Sequence, residues 1–229
     1  MRTTSIVILA IVLFASTNAL TAQAIIAAVN FARKNPLIIR DRIKAQFPNM
    51  TGTASDATCY SDAINFLSVQ APLPPLAEDP TADFVTWDHS RYCVRTLNKI
   101  SHTGAGGSNP GDRLKTAGIF NGAWSYNENI AVTYRQNTDY PPADEFIIMW
   151  ITDCGVASRG HRANIYSTKV DRQGCGVFQG PMTASGMPFT GTVVTCAGTK
   201  GLAIKEETKV KLAEAGLSMD KNGLGFTGI

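Results

Sequence analysis

Three observations predict an α+β fold for this chain of 229 residues. Segments with the apolar spacing of helices occur in its first two thirds, separated by loops, and two short apolar segments typical of strands come late. Hydrophobic residues make up 44% of the chain and charged residues only 17%. A chain of this size and composition is long and apolar enough to form the hydrophobic core of one domain. Helices that precede a late pair of strands favour layers of helices on a small sheet.

The N-terminal residues 1–19 have the features of a secretory signal peptide. Arg2 supplies a positive charge, residues 6–14 are apolar, and small residues precede a cleavage point after Ala19. The apolar run is shorter than the roughly 20 residues that span a membrane, and no later segment is long and apolar enough. We therefore expect a secreted, extracellular protein, in which Asn49 begins a usable glycosylation sequon.

The first predicted helix covers residues 22–34 and ends before Pro36. Its apolar positions fall on one helical face: Ala22, Ile25, Ile26, Val29 and Ala32. The polar residues 48–62 predict a loop. Asp79, followed by Pro80, predicts the start of a second helix that runs to about Ile100.

The middle of the chain alternates loops with short elements. Residues 103–111 are rich in glycine and predict a loop, and residues 112–117 predict one or two helical turns. Residues 128–134 predict a short strand or an extended segment. Two prolines, Pro141 and Pro142, precede another helix with an apolar face.

A β-hairpin is predicted at the end of the domain, from residues 174–178 and 191–196 with a long loop between them. Residues 203–215 are charged and favour a helix. We interpret residues 20–199 as the domain and residues 200–229 as an appended tail.

Five cysteines predict disulfides in an oxidising compartment, with at least one thiol left over: Cys59, Cys93, Cys154, Cys175 and Cys196. In the predicted hairpin, Cys175 and Cys196 lie opposite each other, which allows a cross-strand bridge. Cys154 remains an alternative partner for either of them. Cys59 with Cys93 is then the natural second pair.

The charge distribution argues against nucleic acid as a partner. The formal net charge is only +3, and no long run of Lys or Arg is present. The H-E-x-x-H, G-x-S-x-G and Walker motifs are also absent from the sequence. Residues 223–228 match G-x-G-x-x-G, but no predicted helix follows them to bind a phosphate.

Four polar residues at the ends of predicted elements are candidates for chemistry. His102 and His161 flank loops, and Glu128 and Asp153 border apolar segments. Histidines on loop edges are plausible functional groups, but an exposed or capping role is the alternative for each. His89 lies within a predicted helix, where a packing role is the better interpretation.

The order and spacing of short segments resemble the CAP superfamily, the group of sperm-coating, pathogenesis-related and venom-antigen proteins. The resemblance covers residues 24–198. Its main segments are Ser101-His102-Thr103-Gly104, Asn127-Glu128-Asn129-Ile130-Ala131, Trp150-Ile151-Thr152-Asp153 and Gly160-His161-Arg162-Ala163-Asn164-Ile165.

This resemblance implies a three-layer α-β-α sandwich with a small, mostly antiparallel sheet. It also implies a surface cleft formed by His102, Glu128, Asp153 and His161. Asp153 stands where the family usually has Glu, so its side chain is one methylene shorter. Two neutral imidazoles can bind a divalent cation such as Zn²⁺, while carboxylates orient the rings.

Two classes of function follow from the resemblance. The first is a non-enzymatic extracellular module that binds a small lipid, a sterol or a protein partner, with the cleft tuned by a cation. The alternative is a metal-dependent hydrolase in which Glu128 acts as the base. A stable extracellular scaffold with a vestigial cleft is a third possibility.

Overall fold

The computed structural model describes residues 20–49, 56–208, 210, 217–220 and 223–226. The predicted signal peptide lies outside these residues. The α-helices are α1 (Ala22–Lys34), α2 (Pro36–Gln46), α3 (Cys59–Val69), α4 (Pro80–Tyr92), α5 (Pro110–Ala117), α6 (Ala143–Thr152) and α7 (Gly160–Ile165). The strands are β1 (Ala77–Glu78), β2 (Gly118–Arg135), β3 (Arg172–Ala184), β4 (Met187–Ile204), β5 (Leu217–Asp220) and β6 (Gly223–Phe226). A π-helix, Cys93–Leu97, continues α4, and a 3₁₀ turn, Ala105–Gly107, precedes α5.

The main sheet has the strand order β1-β3-β4-β2. β4 pairs antiparallel with both β3 and β2, whereas the two-residue β1 pairs parallel with β3. The sheet is therefore mixed rather than purely antiparallel. β5 and β6 form a separate antiparallel pair.

Helices cover both faces of the main sheet, which confirms the α+β class. One face packs against α1, α2, α3, α6 and α7 around a large apolar cluster that includes Ile25, Leu67, Phe146 and Trp150. The other face carries α4, the π-helix and α5, with two smaller clusters around Leu114 and Val193. This arrangement is a three-layer sandwich.

The predicted first helix is present with the predicted buried face, but Pro36 does not end the helical region. Asn35 leaves the helix, and Pro36 occupies the first turn of α2. Proline is tolerated there because the first turn needs no N–H donor. The predicted loop 48–62 is also partly wrong, since α3 begins at Cys59.

The helix predicted to reach Ile100 is shorter than expected. α4 ends at Tyr92, the π-helix continues to Leu97, and Asn98 ends it in the left-handed conformation at φ 54°. The Asn98 side chain hydrogen-bonds the backbone of Thr183 in β3. This bond fixes the start of the loop that carries His102.

Two glycines in β3 allow α4 to lie directly on the sheet. A Cβ at Gly174 would lie 2.2 Å from the backbone nitrogen of Asp83, and one at Gly176 would lie 2.0 Å from that of Trp87. Only glycine permits this approach.

The late hairpin has the predicted register but a different shape. Cys175 faces Cys196 and Phe178 faces Val193, as predicted. The expected long loop is absent, because β3 and β4 continue to a tight turn at Ser185 and Gly186. β2 is likewise longer than the predicted strand 128–134, and β4 extends past residue 199 to Ile204.

The two disulfides join Cys175 to Cys196 and Cys59 to Cys154. The predicted Cys59–Cys93 pair is wrong. Cys93 is a buried free thiol on the α4 side of the sheet, whereas Cys59 begins α3 on the opposite side. The sheet therefore separates the two residues.

Asn49 is exposed, as a glycosylation site requires, but Met50 and Thr51 of its sequon lie outside the described residues. Within the described part of the chain, no helix is long and apolar enough to cross a membrane.

Candidate functional site

His102 lies in the loop between the π-helix and α5, and about half of its side chain is exposed. Its Nδ1 lies 2.8 Å from Oε1 of Glu128. Glu128 is in the middle of β2, and only 3% of its side chain is exposed. A carboxylate that accepts from Nδ1 fixes the ring tautomer and leaves Nε2 as the free nitrogen.

Arg113 holds this first pair in place from α5. Its Nη2 donates to Oε2 of Glu128 at 2.5 Å, while Nη1 donates to the backbone oxygens of His102 and Ser108 at 3.0 Å each. One guanidinium therefore neutralises the buried Glu128 and anchors the loop that carries His102. When one partner of an ion pair as buried as this is removed, the other is left as an uncompensated buried charge, which destabilises the fold.

The second pair has the same chemistry at the junction of α6 and α7. Asp153 ends α6 in the left-handed conformation at φ 53°. Its Oδ1 lies 2.7 Å from Nδ1 of His161, and its Oδ2 accepts the backbone N–H of His161 at 2.9 Å. His161 is the second residue of α7 and is 19% exposed, whereas the Asp153 side chain is 1% exposed.

The two imidazole rings lie close together. Their centroids are 6.2 Å apart and their planes differ by 26°. The structure thus brings His102, Glu128, Asp153 and His161 into one site. Each ring is oriented by its own carboxylate, on a different element.

Two asparagines connect the strand and helix that carry the site. The Asn129 side chain donates to the backbone oxygen of His161 at 3.1 Å. The Asn164 side chain donates to the backbone oxygen of Glu128 at 3.1 Å and to Oδ1 of Asn129 at 2.8 Å. These bonds fix α7 against β2 and set the distance between the two histidines.

The side chain of Arg159 stabilises the turn between Asp153 and His161. Arg159 donates to the side chains of Asp56 and Asp62 and to the backbone oxygen of Asp153. The guanidinium holds the pKa of Asp56 well below its usual range. The Cys59–Cys154 disulfide ties the same turn to α3. The turn is therefore held both covalently and electrostatically.

The site offers a metal two protein ligands. Within the described residues, no group of three or more His, Cys, Asp or Glu side chains is arranged to hold a metal ion. Two imidazoles on one Zn²⁺ have ring centroids roughly 5–6.5 Å apart, given Zn–N bonds of about 2.0–2.1 Å. The observed centroid distance of 6.2 Å lies within that range.

Sequence reasoning named the two histidines and two acids but missed the residues that position them. Arg113 and Arg159 are ordinary polar residues in the sequence and carry no distinctive spacing, whereas Asn129 and Asn164 lie within segments that carry the family resemblance but were not singled out. The closest signal was the run 127–131, in which Asn129 follows Glu128 directly. His89 is packed as expected, with 2% exposure, but its Nδ1 has no hydrogen-bond partner within the described residues.

The family model of the cysteine-rich secretory protein family, CAP, matches residues 27–197. No curated protein matches the chain significantly. Among solved structures, the chain is similar to an outer surface protein from Borrelia burgdorferi, at 12% identity and a TM-score of 0.34. That likeness covers 74% of this chain and 96% of the other chain, and at this TM-score it carries no functional argument.

Proposed function

The chain belongs to the CAP family of cysteine-rich secretory proteins, and on this premise we propose that it is an extracellular binding domain whose cleft holds a divalent cation such as Zn²⁺ between His102 and His161. The observation that carries this proposal is the pairing of each imidazole with its own buried carboxylate. Such pairing orients both rings and raises their basicity as metal ligands.

A cation held by two imidazoles keeps open coordination positions. Structural zinc sites usually have four protein ligands and catalytic ones three, so a site with two binds weakly and leaves room for water or a group of a bound molecule. When bound, the cation would supply positive charge and Lewis acidity between His102 and His161. We expect the bound partner to be a small lipid, a sterol or an extracellular protein.

The contacts of Glu128 favour an orienting role over that of a general base. Its Oε1 contacts His102, and its Oε2 accepts a hydrogen bond from Arg113. A general base needs an oxygen within reach of the proton that it removes. Because both oxygens are engaged and the side chain is buried, the geometry supports binding rather than hydrolysis.

Zinc titration by calorimetry tests the cation site. We expect one weak Zn²⁺ site in the wild type and none in the double variant His102→Gln, His161→Gln. Binding should also weaken as the pH falls from 7.5 to 5.5, because protonated imidazole does not ligate metal. Unchanged urea midpoints control for folding. Equal binding by the wild type and the double variant would contradict the proposal.

Two observations support the extracellular location. The chain carries two disulfides, which form and persist in oxidising compartments, and residues 1–19 have the pattern of a signal peptide. N-terminal sequencing of protein from the culture medium should find a start at or near Leu20. A cytosolic protein that retains Met1 would contradict this location.

A further inference from the structure

A cavity of about 530 Å³ lies on the α4 side of the sheet, beside the cleft. It is formed by α4, the π-helix, the 3₁₀ turn and α5. Pockets that bind small organic molecules have volumes of roughly 300–1,000 Å³. The cavity thus has the size of a ligand site, and none of the four cleft residues lines it.

The wall of the cavity combines apolar and aromatic surface with cations. Phe84, Val85 and Ala117 contribute apolar surface, and Tyr92 adds a second aromatic ring. A wall of this kind, with a few polar groups, is typical of sites that enclose the apolar body of a ligand.

The charged residues of the cavity are mostly positive. Three arginines and one acid line it, and the acid, Asp88, already pairs with Arg91 at 2.7 Å. Arg95 is exposed and stacks over the ring of Phe178 at 5.4 Å. No ion pair of Arg95 is found within the described residues. Arg91 is paired with Asp88, and Arg113 is paired with Glu128. The uncompensated positive charge at the cavity is therefore that of Arg95, whose guanidinium favours an anion there.

Two buried polar atoms of the cavity residues lack partners. His89 donates from Nε2 to the backbone oxygen of Ser101 at 2.7 Å, which leaves Nδ1 as an acceptor without a donor. Burial lowers the pKa of His89, in keeping with a neutral ring. Nε of Arg113 is likewise unpartnered. Buried polar atoms are normally satisfied, so these two residues at the cavity wall keep hydrogen-bonding capacity that the described residues do not use.

We propose that this cavity binds a small organic anion with an aromatic or otherwise apolar body. Arg95 binds the anionic group at the rim, and the ring surfaces of Phe84 and Tyr92 enclose the apolar body. The site is independent of the cation proposed for the cleft, although Arg113 borders both and links them physically.

Two fluorescent probes that differ by one sulfonate group test this proposal on the full secreted chain. 8-Anilinonaphthalene-1-sulfonate carries a sulfonate, and N-phenyl-1-naphthylamine has the same aromatic body without it. We expect one site for the sulfonate probe, with an affinity about tenfold or more above that for the neutral probe. A charge-assisted hydrogen bond accounts for a difference of this size.

Matched variants locate the binding. Arg95→Gln should lower the affinity for the sulfonate probe about tenfold and leave that for the neutral probe unchanged, whereas Lys44→Gln removes a positive charge from distant α2 and should change neither. Thr96→Trp places a bulky ring in the cavity wall and should abolish binding of both probes. Thr168→Trp, at an exposed position outside the cavity, is its control.

Three outcomes would overturn the proposal. They are equal affinity for the two probes, unchanged sulfonate binding in Arg95→Gln, and normal binding of both probes by Thr96→Trp. Urea midpoints close to that of the wild type confirm that each variant is folded. None of these results depends on zinc binding, so this proposal and the cation site can fail separately.

Discussion

Asp153 contacts His161 through both carboxylate oxygens, one to the ring Nδ1 at 2.7 Å and one to the backbone N–H at 2.9 Å. This residue is one methylene shorter than the Glu that is usual at this position in the family it resembles. It reaches His161 because the end of α6 and the start of α7 are held together by a short turn. The left-handed backbone of Asp153 directs its side chain at the first residues of α7.

Replacement of Asp153 by Asn should weaken zinc binding. The amide is a poorer acceptor for the Nδ1–H of His161, and loss of such a carboxylate partner typically lowers metal affinity about 10–100-fold. Calorimetry with Zn²⁺ measures the change. Asp144→Asn, an exposed change on the same helix, is the control and should bind like the wild type. Equal affinities of the two variants would argue against an orienting role for Asp153.

The histidines and acids of the site were predictable from the sequence because the order of the segments around them is distinctive. Their supports were not, since Arg113 and Asn164 act through contacts 15 and 36 positions away in the chain. No local pattern encodes such contacts. The hairpin register was predictable because the strand pattern aligns Cys175 with Cys196, whereas the partner of Cys59 depends on which face of the sheet each helix covers.

Replacement of Arg113 by Met should destabilise the fold strongly. It leaves the carboxylate of Glu128, 3% exposed, without its cationic partner, and breaking a buried pair in this way costs about 3–5 kcal/mol. Urea unfolding at neutral pH measures the loss. Arg91→Met removes an exposed arginine that pairs with Asp88, and it should cost less than about 1 kcal/mol. Similar losses in both variants would show that the Glu128 pair is not needed for stability.

Thiol labelling should identify Cys93 as the single free cysteine. Cys93 is fully buried, and burial raises the pKa of its thiol, so iodoacetamide should not react with the native protein. After unfolding without reductant, we expect one label, on Cys93. Peptide mapping should then recover the Cys59–Cys154 and Cys175–Cys196 pairs. A label on Cys154 or Cys59 would contradict this pairing.

A buried acid between α4 and β3 should make stability depend on pH. Burial raises the pKa of Asp83 to about 9 from a usual value of 3.8. Its Oδ1 accepts the backbone N–H of Cys175 at 2.6 Å, whereas Oδ2 has no donor and, when protonated, can itself donate to Glu78. The native protein therefore keeps a proton that the unfolded chain releases. The free energy of unfolding should fall as the pH rises from about 4 towards 9.

Asp83→Asn removes this dependence, because the amide accepts from Cys175 and donates to Glu78 without ionising. We expect its urea midpoint to exceed that of the wild type at pH 8.5, and the difference to shrink towards pH 4.5. Asp88→Asn, an exposed change on the same helix, should keep the slope of the wild type. An equally steep loss of stability with rising pH in Asp83→Asn and in the wild type would show that Asp83 does not cause the dependence. Asp83 would then be ionised in the native state, with a hydrogen-bond partner for each carboxylate oxygen.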